Sequence, residues 1–240
     1  MRIDDPEAVA RQYATEANLE ARRSLYANAE GPDPRQVAFE AVAEVAPRHV
    51  LEVGGGPGEL AARIANELGA EVVMVDVSPR MVELARARGV DAMVGDVQSL
   101  PFADATFDCA VAAWMLFHVP DIDLGLGELA RVLRPRGRIV AATNSVDHLQ
   151  ELRAIAGAAA WKRVFTRENG AEIIGRVFED VERRDADGWV TIDDHETVRG
   201  FVASLDAEDA PDLPAYTLPI RSRRASSVFV ATKRGEQVSG

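Results

Sequence analysis

Three acidic side chains and one glycine-rich turn are the groups in this sequence whose types and spacing could do chemistry. Glu52-Val-Gly-Gly-Gly-Pro-Gly58 closes an apolar run and opens a helical stretch, so Gly54, Gly56 and Gly58 stand where a strand passes into a helix. Glycine lets the backbone turn tightly and lets a ligand approach with no Cβ in the way. The helix start beyond it offers free N–H donors and a positive dipole. Asp76 ends the next apolar run and Asp96 follows the third. Ligands of open α/β sheets bind outside the carboxyl ends of the strands. One of these acids can take ribose hydroxyls, and the other can accept from an exocyclic adenine amine. Gly56, Gly58 and Ala61 also satisfy a dinucleotide pattern, with Asp76 at the distance of a ribose-binding acid. A nicotinamide-dependent oxidoreductase is therefore a competing reading.

The charges separate the two ligands. A pyrophosphate is poorly served by Glu52, Asp76 and Asp96 together, whereas a sulfonium with an amino-acid tail is well served. His118, in Phe117-His-Val-Pro-Asp121, lies just beyond the fourth apolar run. Its imidazole titrates near neutral pH and can accept a proton. A loop residue that hydrogen-bonds backbone is the alternative. The acids are spread along successive strand ends, with no tight carboxylate or His cluster, so no metal is expected.

The elements that must position these groups follow from periodicity. Apolar runs at His49–Val53, Glu71–Asp76, Val90–Val94, Phe107–Ala113 and Arg138–Thr143 alternate with helical stretches near 58–68, 79–88 and 121–133. Strands apolar on both faces and separated by helices imply a buried parallel sheet of right-handed βαβ units. Before them, residues 5–29 read as one or two helices and 35–46 as another. After them come helices near 146–159, 167–178 and 194–204, with strands at Phe178–Arg184, Trp189–Ile192 and Ser226–Thr232. The last strands suggest an antiparallel edge. The fold expected is a doubly wound α/β sheet.

Composition narrows the partners. The chain has 240 residues, 27 basic against 39 acidic, a net charge of -12 and 47% hydrophobic content. Such a field repels polyanions, so no nucleic-acid partner is expected. No apolar run approaches a membrane span of roughly 18 residues. The start Met1-Arg-Ile-Asp-Asp-Pro6 has no leader-like apolar stretch, and the single Cys109 allows no intrachain disulfide. A cytoplasmic location is expected, and the sequence leaves the oligomeric state open.

Several motifs in order resemble the class I S-adenosylmethionine-dependent methyltransferases. Val50-Leu-Glu-Val-Gly-Gly-Gly-Pro-Gly58 is similar to the family's methionine-binding motif, and Val73-Met-Val-Asp-Val-Ser-Pro-Arg-Met81 to its ribose motif. Val94-Gly-Asp-Val-Gln-Ser-Leu-Pro-Phe102 resembles the adenine motif, which assigns Asp96 and Val97 to the base. The run from Phe107 to Asp121 resembles the fourth strand and its turn, and Leu129–Val140 the helix, turn and fifth strand. Gly55 stands where Cys or Thr is commoner, and Arg136 where Gly is common. Residues Tyr13 to Arg22 and Thr166–Gly170 are reminiscent of a small-molecule subgroup.

The resemblance implies a seven-stranded sheet with an antiparallel C-terminal strand, S-adenosyl-L-methionine as cofactor, and transfer of a methyl group to an O, N or C atom of a small molecule. It further implies Glu52, Gly54, Gly56, Gly58, Asp76, Asp96, Val97 and Trp114 as cofactor-binding residues and His118 as the candidate base. Residues 1–45 would form an N-terminal helical cap. Residues 46–240 would form the methyltransferase domain, with 146–220 variable and on the substrate side. A non-catalytic protein that retains the cofactor pocket is the remaining alternative. Arg221, Arg223 and Arg224 could grip an anionic substrate, or form a solvated approach to the last strand. Tyr13 could close over the cofactor, His49 and His195 read as surface or capping residues, and His148 falls on the active-site side if the topology holds or else caps a helix or lies exposed.

Overall fold

Apolar runs bounded by Gly, Pro or charge become strands here because each can be buried on two faces and paired on two edges. In the computed structural model, which describes residues 25–155, 157, 164–204 and 213–235, seven strands form one sheet in the order β3-β2-β1-β4-β5-β7-β6. These are β1 His49–Val53, β2 Glu71–Asp76, β3 Asp91–Val94, β4 Phe107–Ala113, β5 Leu133–Asn144, β6 Phe178–Ile192 and β7 Ile220–Lys233. The first five are parallel, and β7 runs antiparallel between β5 and β6. The helices are α1 Pro34–Ala43, α2 Glu59–Leu68, α3 Pro79–Ala87, α4 Ile122–Val132, α5 Gln150–Ile155, α6 Gly170–Gly175 and α7 His195–Ala203. The doubly wound α/β expectation holds. None of the helices among the described residues is long and apolar enough to cross a membrane.

Alternation along each strand divides the core. Leu51 and Val53 of β1 join Leu116, Leu126, Leu129, Ile139 and Phe229 on one face. Val50 joins Val42, Ile64, Met74, Val82, Cys109 and Val140 on the other. Asp33, Ser78, Asp121 and Asp194 cap helices by accepting backbone N–H groups, each cap contributing about 1 kcal/mol. Pro34 and Pro79 follow two of them in the first turn, where a missing N–H costs nothing. Cys109 lies buried in β4 with its thiol pushed up to about 12 by desolvation.

Glu44, just past α1, ties that helix to the far half of the sheet. Its carboxylate accepts from Arg184 at 2.6 Å and from Arg138 at 2.7 Å. Hydrogen bonds from Arg184, then Arg138, hold its pKa at about 2.

The C-terminal third differs from expectation in two ways. Phe178–Arg184 and Trp189–Ile192 are one strand, not two: β6 runs through the charged stretch between them, with a bulge between Glu179 and Glu182. A charged stretch can stay in register because β6 is an edge strand, met on its other side among the described residues only by the bridge of Glu30 to Trp189. The edge is therefore β6, while the last strand, longer than expected, sits one place inside it. Arg136 has φ of 64°, the left-handed region where glycine is at home. That is the position where the resembled family commonly carries Gly. The proposed helices before residue 25, Tyr13 and the Tyr13–Arg22 likeness lie outside the described residues.

Phe229 measures how firmly β7 is docked. It is fully buried, lies edge-on to Phe165 with ring centroids 5.9 Å apart, and meets the backbone of Gly170, where an added Cβ would stand 2.5 Å from the ring. Phe229→Ala is expected to lower unfolding free energy by about 3–5 kcal/mol in a urea titration, from lost burial plus the cavity left behind. A loss under about 1 kcal/mol would mean that the sheet closes around the gap.

Candidate functional site

The carboxyl ends of the parallel strands and the segments that leave them enclose a cavity of about 650 Å³. All nine residues singled out in the sequence are placed at this edge, and all but Gly58 line the cavity. Gly58 instead takes φ of 77° at the start of α2, with Ala85 so close that an added Cβ would stand 2.7 Å from its Cβ. It lets the turn pack on α3.

Asp76 organises the turn. One carboxylate oxygen accepts from Gly56 N at 3.0 Å and the other from Ser78 N at 2.9 Å. Gly56 reaches it with φ of 57°, and a Cβ there would project into open space. Gly54 N donates to Val75 O at 2.7 Å, so the end of β1 is laced to the end of β2. Desolvation raises the Asp76 pKa, against the two backbone donors that lower it.

Glu52 is 2% exposed, and its Oε2 has no hydrogen-bond partner. Desolvation pushes its pKa up to about 8; the Ala61 backbone N–H opposes this and the Asp76 charge adds to it. Gly55 leaves room for this acid: a Cβ there would lie 2.8 Å from the Glu52 carboxyl and 2.7 Å from Met74 Sδ. The unusual glycine at 55 thus has a steric reason.

Asp96, exposed after β3, is held by Gln98, whose backbone N and side-chain Nε2 each donate at 2.9 Å. Gln98 Oε1 then accepts from Asp121 N at 3.0 Å, which links the adenine-motif acid to the cap of α4. Val97 is buried beside Val119 and Gly125. Trp114 takes φ of 56°, rare for a bulky residue, and donates from its indole to Asn144 Oδ1 at 3.1 Å. His118 ends a single 3-10 turn, Leu116–His118, with its ring 4.4 Å from that of Phe117.

Four cavity residues escaped the sequence reading or were read otherwise. His148 is 2% exposed rather than on the surface. Its Nδ1 accepts from Ala225 N at 3.0 Å and its Nε2 lies 2.9 Å from Tyr26 Oη. Asn144 and Tyr26 carried no signal, because their partners are distant in sequence. The arginine cluster splits: Arg221 pairs with Glu30 and Arg223 with Asp187, while Arg224 turns inward and lines the cavity.

Comparison with known proteins fits this geometry. Residues 51–141 match the model of a family described as methyltransferase domain. The chain is 38% identical over 113 residues to a demethylmenaquinone methyltransferase of Thermus thermophilus, covering 44% of this chain and 51% of the relative. It is 37% identical over 108 residues to the O-methyltransferase cnsE of Penicillium expansum, covering 42% and 39%. The chain thus spans about half or less of the length of these relatives. Among solved structures, a phosphoethanolamine N-methyltransferase 2 of Haemonchus contortus, in complex with phosphomonomethylethanolamine and S-adenosylhomocysteine, superposes with a TM-score of 0.65. Its identity is 18%, with 98% of this chain and 60% of that one covered, and the likeness is one of fold.

The buried acid makes stability depend on pH with a definite sign. Folding raises the Glu52 pKa from 4.5 to about 8, so between these values the native state holds a proton that the unfolded chain has released. Stability from this group is present below pH 4.5 and lost as pH rises through about 8. Glu52→Gln should flatten that decline, so its advantage over wild type in urea midpoint grows with pH across the window. Parallel curves for the two proteins would show that Glu52 is already ionised.

Proposed function

We propose that this protein is an S-adenosylmethionine-dependent methyltransferase acting on a small molecule in the cytoplasm. The observation that carries the reading is the grouping of Glu52, Asp76 and Asp96 around one glycine turn on one cavity wall, with a buried Glu52 oxygen that lacks a donor. The residues fit the cofactor. Asp76 would hold the ribose hydroxyls, Asp96 and Val97 the adenine, and the Gly54–Gly56 turn the amino-acid tail, whose ammonium supplies the donor that Glu52 lacks. The charges of Asp76 and Asp96 oppose a pyrophosphate, which weighs against the nicotinamide reading.

When bound, S-adenosylmethionine supplies an electrophilic methyl group whose transfer leaves a neutral thioether, so no acid is needed for the leaving group. The protein's own part is then mainly proximity and alignment, worth roughly 7–11 kcal/mol of the barrier. Trp114, Met115, Phe117 and Val119 add apolar lining to the same cavity. His118, which lines the same cavity, would take a proton on an imidazole nitrogen from an acceptor hydroxyl or ammonium.

Three measurements test this. Asp76→Ala should weaken S-adenosylhomocysteine binding in calorimetry by roughly 1–3 kcal/mol, the scale of lost charged hydrogen bonds; unchanged affinity in a folded variant removes Asp76 from the site. Mass spectrometry over a panel of acceptors separates an enzyme from a protein that only binds the cofactor. With an acceptor in hand, His118→Gln should lower turnover by roughly 10²–10⁴ and abolish the neutral limb of the pH–rate profile, while leaving cofactor affinity unchanged. Normal turnover in this variant would make His118 part of the loop scaffold.

A further inference from the structure

Arg224 is out of keeping with its neighbours. On the β6–β7 hairpin and the segment packed on it, Arg221 pairs with Glu30, Arg223 with Asp187, Arg167 with Asp185 and Asp187, and Arg184 with Glu44 and Glu182. Arg224 is 5% exposed and makes no ion pair among the described residues. Its Nη2 donates to two backbone carbonyls, Pro32 O at 2.6 Å and Glu30 O at 3.2 Å, and its Nε has no partner. Backbone oxygens satisfy donors but supply no countercharge, and a buried cation without one is costly.

The surroundings keep it that way. Gly188 lies opposite Arg224 in the β6–β7 register, and a Cβ there would stand 1.9 Å from Glu30 O and 3.0 Å from Nη2. The absent side chain makes room for both the Glu30–Pro32 segment and the guanidinium. Asp33 and Arg35, which also line the cavity, are exposed at its rim, whereas Asn144 and Ser226 within it carry no charge. An indole N–H can only donate, so Asn144 presents its oxygen to Trp114 and to Ser226 Oγ at 2.8 Å, and its amide nitrogen remains as a donor. His148 Nδ1 lies 3.0 Å from Ala225 N and 3.2 Å from Ala225 O, and its Nε2 lies 2.9 Å from Tyr26 Oη.

The cavity therefore has two poles. Acidic side chains stand at the ends of β1, β2 and β3, and the buried Arg224 guanidinium stands on β7, which is three strand spacings or roughly 14 Å from β1. We propose that the methyl acceptor carries a carboxylate, and that Arg224 binds it at the β7 end of the cavity. The proposal rests on the methyltransferase reading for the word acceptor. One guanidinium among neutral donors matches a single negative charge. A dianionic phosphate would leave a charge uncompensated in a cavity that already holds carboxylates.

The test is calorimetry on the whole protein with S-adenosylhomocysteine present, using a panel of small hydroxy- and amino-carboxylic acids, their primary amides and the corresponding phosphate esters. At least one acid should bind roughly ten- to hundred-fold more tightly than its amide and its phosphate counterpart. Arg224→Met should erase that margin without changing S-adenosylhomocysteine affinity, and Arg224→Lys should keep part of it. Equal binding of acid and amide, preference for the phosphate, no acid bound at millimolar concentration, or a margin that survives Arg224→Met each overturns the proposal. The acid-versus-amide comparison on wild type decides even if Arg224→Met does not fold. Loss of S-adenosylhomocysteine binding by wild type would instead overturn the methyltransferase reading, while acid binding measured without that ligand still judges Arg224.

Discussion

The central strand β1 is buried on both faces and paired on both edges, so the chain can leave it only where the sheet ends. That exit is the constraint on which the site depends. Gly54 N is bound to Val75 O and Gly56 N to Asp76, so the turn is stitched to β2 before α2 begins. Once the turn is fixed, Glu52 stays under it, desolvated, with an oxygen that finds no donor among the described residues. The polar groups of the site are costly where they stand, and the parallel sheet gives them no other place.

Much of this was legible in the sequence for a physical reason. The boundaries of β1, β2 and β4 emerge as expected because each is a short apolar run bounded by charge, glycine or a change of period. The glycine turn and its acids were visible because close backbone approach requires glycine and because acids at successive strand ends must converge. Local signals sufficed wherever the constraint itself was local.

The remainder depended on contacts far apart in sequence. A histidine after a strand reads as exposed, yet His148 is buried by Tyr26, 122 residues earlier, and by Ala225, 77 residues later. An arginine-rich run reads as solvated, and two of its three members are, but Arg224 turns inward because Gly188 on the neighbouring strand vacates the space. The charged centre of β6 hid a continuous strand, since alternating charge on an edge looks like loop until its partner is known. The end of the cavity that holds the acids is thus written in contiguous motifs, and the β7 end in pairings between β6 and β7.

The order of the strands has a consequence for synthesis. β6 has β7 as its one neighbour in the sheet, and β7 follows it in the chain, so a nascent protein exposes a 15-residue unpaired strand until the next strand arrives. Such a strand is a template for aggregation. Glu179, Glu182, Arg183, Arg184, Asp185 and Asp187 put charge along most of it, which repels premature partners during that interval. The same residues later find their own counterions, Glu182 with Arg184, Arg183 with Asp185, and Asp187 with Arg223. The charges on β6 therefore guard an intermediate on the ribosome as well as an edge in the finished fold.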